Sequence, residues 1–182
     1  MEASRRDFIS LVIGGLGAIG GLGALYSLVR VMLEPSEIAA LGAKVEVDVS
    51  SIQPMQVRVT SWKGKTLFVI RLPKDFNAEG YQIKQGVLNS KGTTNYEILK
   101  GQEVFALVGV CTHLGCIPLW KPEGGVGGID KPMFHCPCHG GLYTPYGDVI
   151  AGPPPRPLFI PPQKLVGDKL IVGEEGFIKE LI

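Results

Sequence analysis

Residues 111–116 read CTHLGC, and residues 136–141 answer with CPCHGG. These two hexads hold all four cysteines of the 182-residue chain and two of its three histidines. Each opens on a thiol and sets an imidazole close behind it, as C-x-H in the first (Cys111, His113) and C-x-x-H in the second (Cys136, His139). The third histidine, His135, stands directly before Cys136 and reads as a structural residue rather than a ligand.

Two thiols and two imidazoles divide evenly between two neighbouring metal positions or converge on one. The one-metal reading is a structural Cys₂His₂ zinc site. The two-metal reading is a 2Fe–2S cluster with two cysteines on one iron and two histidines on the other. Cys116 and Cys138 bear on the choice, because a zinc finger has no need of them and spare thiols compete for the metal. If the domain lies outside the cytoplasm, these two can pair as a disulfide and staple the loops together.

The rest of the chain locates that domain. Net charge is +1, which gives no sign of a nucleic-acid partner. Hydrophobic residues make up 45% of the chain, and the excess has an address. From Phe8 to Val29 the sequence FISLVIGGLGAIGGLGALYSLV runs without a charge. At about 1.5 Å per residue such a helix spans roughly 33 Å, enough for a hydrocarbon core of about 30 Å. Arg5 and Arg6 precede it and place the N-terminus in the cytoplasm. A cleaved signal peptide is the rival reading, but the apolar run is long for one and the nearest small-residue site, ALG at Ala40–Gly42, lies far downstream. Gly17 and Gly21 have the small-xxx-small spacing that suits helix packing in a membrane. GLGAIG, Gly15–Gly20, fits the dinucleotide pattern letter for letter, yet it lies in the apolar span with no strand before it and is discarded. SRRDFI, Ser4–Ile9, resembles a twin-arginine export signal, which implies delivery of a folded, cofactor-loaded domain.

Beyond Pro35 the period changes. KVEVDV alternates, with Val45, Val47 and Val49 on one face, as a half-buried strand does. QVRVTSWKGKTLFVIRL, Gln56–Leu72, reads as two strands turning at Lys63-Gly64. EVFALVGV is a strand leading straight into the first cysteine loop, and KLVGDKLIVG is a closing hairpin through Gly167-Asp168. Between Pro73 and Gly101 the signal is mixed, and the segment reads as an excursion with a helical turn near NYEILK. With 25 glycines and 14 prolines, the chain favours short strands joined by turns. The expected fold is all-β: one N-terminal transmembrane helix, then an antiparallel domain from about residue 44.

CTHLGC, CPCHGG and the proline-rich GPPPRPL at Gly152–Leu158 together resemble the Rieske iron–sulfur subunits of cytochrome bc-type quinol oxidoreductases. The resemblance covers essentially the whole chain and implies three parts. Residues 1–33 are a twin-arginine-like N-terminus and anchor, 34–44 a flexible connector, and 45–182 the Rieske head, with its cluster-binding part at about 109–156. It implies that Cys111 and Cys136 hold one iron of the 2Fe–2S cluster, His113 and His139 the other, and that Cys116 and Cys138 form the disulfide. Around these ligands it places Leu114, Gly141, Tyr143, Gly152 and Pro153. Tyr143 is expected to donate a hydrogen bond to a ligand sulfur, and the prolines at 153–155 to cover the cluster. Trp62 and Trp120 are read as packing residues.

The implied activity is oxidation of quinol, with His139 as the quinol's hydrogen-bond partner and His113 the second exposed imidazole. One electron passes to the cluster and on to a c-type cytochrome, carried by a swing of the head on its connector; the other goes to cytochrome b. The implied setting is a bacterial cytoplasmic membrane, crossed once, with the head on the extracytoplasmic side. Two departures from the family stand out. The segment between the loops carries a Gly-rich insertion around Glu123–Gly128, which a flexible surface loop tolerates cheaply. At Gly141, ubiquinol-oxidising members have a serine that hydrogen-bonds a cluster sulfur. Losing such a donor lowers the reduction potential, so a menaquinol-type donor is expected. The alternatives are a Rieske subunit of another respiratory enzyme, such as an arsenite oxidase-like assembly, and a membrane-tethered structural zinc domain.

Overall fold

The computed structural model describes residues 4–33 and 44–173. The connector expected at 34–44 falls, apart from Lys44, outside the described residues. The chain divides into two units, residues 1–41 and 42–182.

The first unit contains helix α1, Arg5–Leu33. Its N-terminus is capped from the sequence around it. Ser4 Oγ accepts from Arg6 N at 3.3 Å and Asp7 Oδ2 accepts from Ser4 N at 3.1 Å, so two donors at the helix end are satisfied reciprocally. Apolar side chains are exposed on every side of α1, Leu11 at 76% and Val31 at 80% among them. The helix is long and apolar enough to cross a membrane.

Among its described residues, the second unit is built from three antiparallel sheets. The central one runs β2 (Gln56–Trp62), β3 (Lys65–Arg71), β4 (Val104–Val108), in that order. β2 and β3 pair from Gln56↔Arg71 to Trp62↔Lys65, which leaves a two-residue turn at Lys63 and Gly64. Both turn residues have positive φ, 49° and 70°, the backbone whose twist matches a right-handed hairpin. β3 and β4 are buried on both faces, and their alternation feeds two cores. Leu67, Val69, Val104, Ala106 and Val108 pack toward one side, where β1 (Val45–Asp48) and β10 (Lys169–Val172) contribute Val47, Leu170 and Val172. Phe68, Ile70, Phe105 and Leu107 pack toward the other, with Phe134, Tyr143, Val149 and the thiols Cys111 and Cys136. The two-residue repeat of a strand thus turns one apolar run into the wall of two compartments.

β1 pairs with β10, and β10 with β9 (Gln163–Val166), closing the hairpin at Gly167-Asp168. β4 would be an open edge, but the chain entering β9 covers it. Val108 N donates to Phe159 O at 2.8 Å, and the fully buried Gln163 amide takes Ala106 N at 2.6 Å while giving to Ala106 O at 3.0 Å. A side-chain amide here completes a strand ladder.

The 73–101 segment does leave the sheet, and its helical turn is α2, Asn95–Leu99, capped by Thr94 and Glu97. A buried carboxylate from another part of the chain also seats it: Asp148 accepts from Asn95 N at 2.6 Å and from Tyr96 N at 2.9 Å. The third sheet, β5 (Leu119–Lys121), β6 (Met133–Cys136), β7 (Gly141–Tyr143) and β8 (Val149–Ala151), carries the cysteine loops. Sequence periodicity gave no sign of it, because strands of three or four residues are too short to show alternation.

Candidate metal centre

The two hexads fold alike. Gly115 N donates to Cys111 O at 2.9 Å, and Gly140 N donates to Cys136 O at 3.0 Å, so each loop closes one helical-type turn back onto its first cysteine. Both glycines lie in the left-handed region, with φ of 86° and 70°. This is the local reason for the repeated Cys-x-x-x-Gly: each turn is left through a positive φ, which a residue with no Cβ adopts without strain. Loop one follows β4 through Gly109, where a Cβ would meet the Phe68 ring at 2.6 Å. Loop two bridges β6 and β7, which pair Cys136 with Gly141.

Cys116 and Cys138 are joined as a disulfide across the two loops, while Cys111 and Cys136 are free and buried. His113 and His139 meet at 4.8 Å between ring centroids, at a right angle. Burial pushes the Cys136 thiol above its ordinary pKa, and the neighbouring Cys111 thiol pushes the same way. The Cys116, Cys136 and Cys138 sulfurs also lie within 4.8 Å of one another, but two of them are bonded to each other and leave no lone metal-binding thiolate pair. The usable set is therefore two thiols and two imidazoles, one of each per loop.

Around this set, the Tyr143 hydroxyl donates to Cys111 Sγ at 3.1 Å. Burial raises the Tyr143 pKa, with the Cys111 contact adding to it, so the phenol stays a donor. Thr112 N donates to Tyr143 Oη at 3.2 Å, and Thr112 Oγ1 donates to Arg156 O at 2.6 Å. The proline-rich segment thereby ties back onto loop one. It presses on loop two as well, since a Cβ on Gly152 would meet Gly140 O at 2.7 Å and Gly141 Cα at 2.9 Å. Lys84 Nζ holds Gly152 O from the 73–101 excursion at 2.8 Å.

Residues 45–162 match the family described as the Rieske [2Fe-2S] domain. The chain belongs to this family. The ubiquinol-cytochrome c reductase iron-sulfur subunit of Bradyrhizobium diazoefficiens is 34% identical over 172 residues, covering 93% of this chain and 94% of the relative. The subunit of the same name from Rhodospirillum rubrum is 34% identical over 171 residues, covering 94% and 92%. Among solved structures, a chain of a hyperthermophilic respiratory complex III is 72% identical, covers 89% of this chain and 98% of its own, and superposes with a TM-score of 0.56.

The residues present fit a Rieske cluster. Two free thiols are buried in the core, and His113 Nδ1 is buried with no hydrogen-bond partner among the described residues, as a nitrogen reserved for a metal would be. His139 is exposed, and Leu114 stands beside the site at 71% exposure. Trp62 and Trp120 are packing residues as expected: Trp62 is buried in the core, and Trp120 packs at 4.8 Å, tilted, against Phe134 and donates to Met55 O. From sequence, Pro154 is expected among the covering prolines, but no part is assigned to Thr112 or Lys84, although Thr112 lies inside the first motif. Lys84 carries no local signal, because its partner is 68 residues away.

Proposed function

We propose that this chain is the Rieske iron–sulfur subunit of a membrane quinol:cytochrome c oxidoreductase, taking one electron and a coupled proton from quinol and passing the electron to a c-type cytochrome. The observation that carries this reading is the pair of matched loops, each giving one thiol and one imidazole while a disulfide clamps them together. Cys111 and Cys136 would hold one iron, and His113 and His139 the other. When bound, such a cluster supplies a one-electron acceptor whose potential histidine ligation raises into the range of quinols.

The protein's own groups do the rest. His139, the exposed imidazole, accepts the quinol hydroxyl's hydrogen bond and its proton at the outer ring nitrogen. His113 keeps Nδ1 buried and leaves Nε2 as the outer nitrogen. Leu114 offers quinol an apolar contact beside the imidazoles. Tyr143 stabilises negative charge on Cys111 by donating to its sulfur. The Gly152–Pro153 segment packs against the backbone of loop two at Gly140 and Gly141.

The partners are cytochrome b, a c-type cytochrome and quinol. Gly141 brings no hydroxyl to the site, and this favours a low-potential cluster suited to menaquinol. The head lies on the extracytoplasmic side of a bacterial cytoplasmic membrane, with Arg5 and Arg6 on the cytoplasmic side of α1. The positive-inside bias supports this, as does a disulfide that persists only where thiols are not kept reduced.

The decisive experiment is metal and sulfide analysis of the purified full-length chain, with paramagnetic resonance after reduction. Two irons and two acid-labile sulfides per chain with a rhombic reduced signal are expected. One zinc, no sulfide and a colourless protein would overturn the reading.

A further inference from the structure

Gly141 is a glycine for want of space, not for want of backbone freedom. It sits in β7 outside the left-handed region, in a conformation open to any residue. A Cβ built on it, however, would lie 2.8 Å from Pro154 Cγ and 3.2 Å from Pro154 Cδ, with Cys136 Cβ at 3.5 Å. The proline ring is the obstacle. It is buried, and its Cδ is bonded to its own backbone nitrogen, so a change of ring pucker moves Cγ a little and Cδ hardly at all. A side chain at 141 and a proline at 154 therefore exclude one another unless the Gly152–Leu158 segment lifts.

We propose that Pro154 is a positioning residue that tunes the centre: it fills the space over Gly141 and so bars a side-chain donor from the Cys136 side of the site. The centre is then electrically lopsided. Cys111 receives a hydrogen bond from the Tyr143 side chain, whereas the protein donors beside Cys136 are the backbone amides of Cys138 and His139 and the facing Cys111 thiol, and proline hydrocarbon fills the space over Gly141. A donor to a ligand or cluster sulfur raises the reduction potential, and hydrocarbon in its place holds it down. A serine introduced at 141 alone would not restore a donor in its proper place, because Pro154 stands where the side chain must go. In its effect on potential this inference rests on the Rieske reading; the steric pairing stands on the packing alone.

The test is a double-mutant cycle on the full-length chain in detergent, with G141S, P154A and the double variant, read by thermal unfolding and by redox titration. G141S is expected to lower Tm by several degrees in the native background and by little in the P154A background. The midpoint potential is expected to rise on adding the serine to P154A, and to rise less or fall on adding it to the native chain. Equal Tm losses together with equal midpoint shifts in the two backgrounds would overturn the pairing. A native chain with no reduced-cluster signal would defeat the Rieske reading instead, and the Tm cycle would still decide whether Pro154 and residue 141 are coupled.

Discussion

The Tyr143 hydroxyl and the Cys111 thiol are 3.1 Å apart, and the hydroxyl donates to the sulfur. Its oxygen is held by Thr112 N at 3.2 Å, in the residue that follows Cys111, and the ring is fully buried against the core of β3 and β4. Sequence places these residues 32 positions apart. The fold makes them one unit, because β4 delivers Cys111 to the place where β7 presents Tyr143.

Replacing Tyr143 by Phe keeps the packing and removes that single donor. The cluster potential should fall, since negative charge on Cys111 loses its compensation. Stability should drop by about 1 kcal/mol, the net worth of one buried hydrogen bond. Redox titration of the variant decides the matter, and an unchanged midpoint would show that the bond carries no charge stabilisation.

Cys116 and Cys138 close a loop with a sequence separation of 22. In the chain-entropy account such a crosslink stabilises by about 3 kcal/mol. Converting both to serine should lower unfolding stability by that order and loosen the clamp between the two ligand loops. Cluster loss on dilution, followed by the fading of visible colour, should therefore be faster than in the native chain. Native rates of loss would mean that the core holding Cys111 and Cys136 suffices without the clamp.

The candidate ligand set was legible in the sequence because C-x-H and C-x-x-H are local patterns whose chemistry depends on residue type. The β1–β10–β9 and β2–β3–β4 sheets were legible too, through the alternation at Val45, Val47 and Val49 and the turns at Lys63-Gly64 and Gly167-Asp168. What stayed hidden was non-local. The four-stranded sheet that carries the loops consists of strands too short to show a period, and Gln163 completes the β4 ladder from 57 residues away. The role of Gly141 changed most. Sequence showed a missing hydroxyl; the structure adds that Pro154 occupies its place.

Asp148 gives a pH signature away from the two cysteine loops. It is fully buried, and burial pushes its carboxyl up to about 6, against the pull of the Asn95 and Tyr96 amides. A pKa raised above the unfolded value of about 3.9 means that the folded state binds the proton more tightly. The contribution to stability is thus fully present below about pH 4 and is lost as the pH rises toward 6, by an amount on the order of 2–3 kcal/mol. Denaturant unfolding at pH 4 and pH 7 should show this decrement in the native chain and a smaller one in Asp148→Asn. Equal pH dependence in both would assign the titration to another group.

Two glycines separate the cost of backbone conformation from the cost of collision. Gly140 and Gly152 both lie at positive φ, 70° and 90°. A Cβ at Gly140 meets nothing within 4 Å, whereas one at Gly152 meets Gly140 O at 2.7 Å and Gly141 Cα at 2.9 Å. Gly140→Ala should cost only the conformational part, about 1–3 kcal/mol. Gly152→Ala carries the same part and adds a clash with backbone that no rotamer change can relieve. It must lift the proline segment from loop two, breaking the Lys84–Gly152 and Thr112–Arg156 bonds that tie the segment down. Gly152→Ala should therefore be the less stable variant, and the one that loses its cluster and reduced-state signal first on warming. If Gly140→Ala proved the more damaging, the proline segment would not be the seal that holds loop two in place.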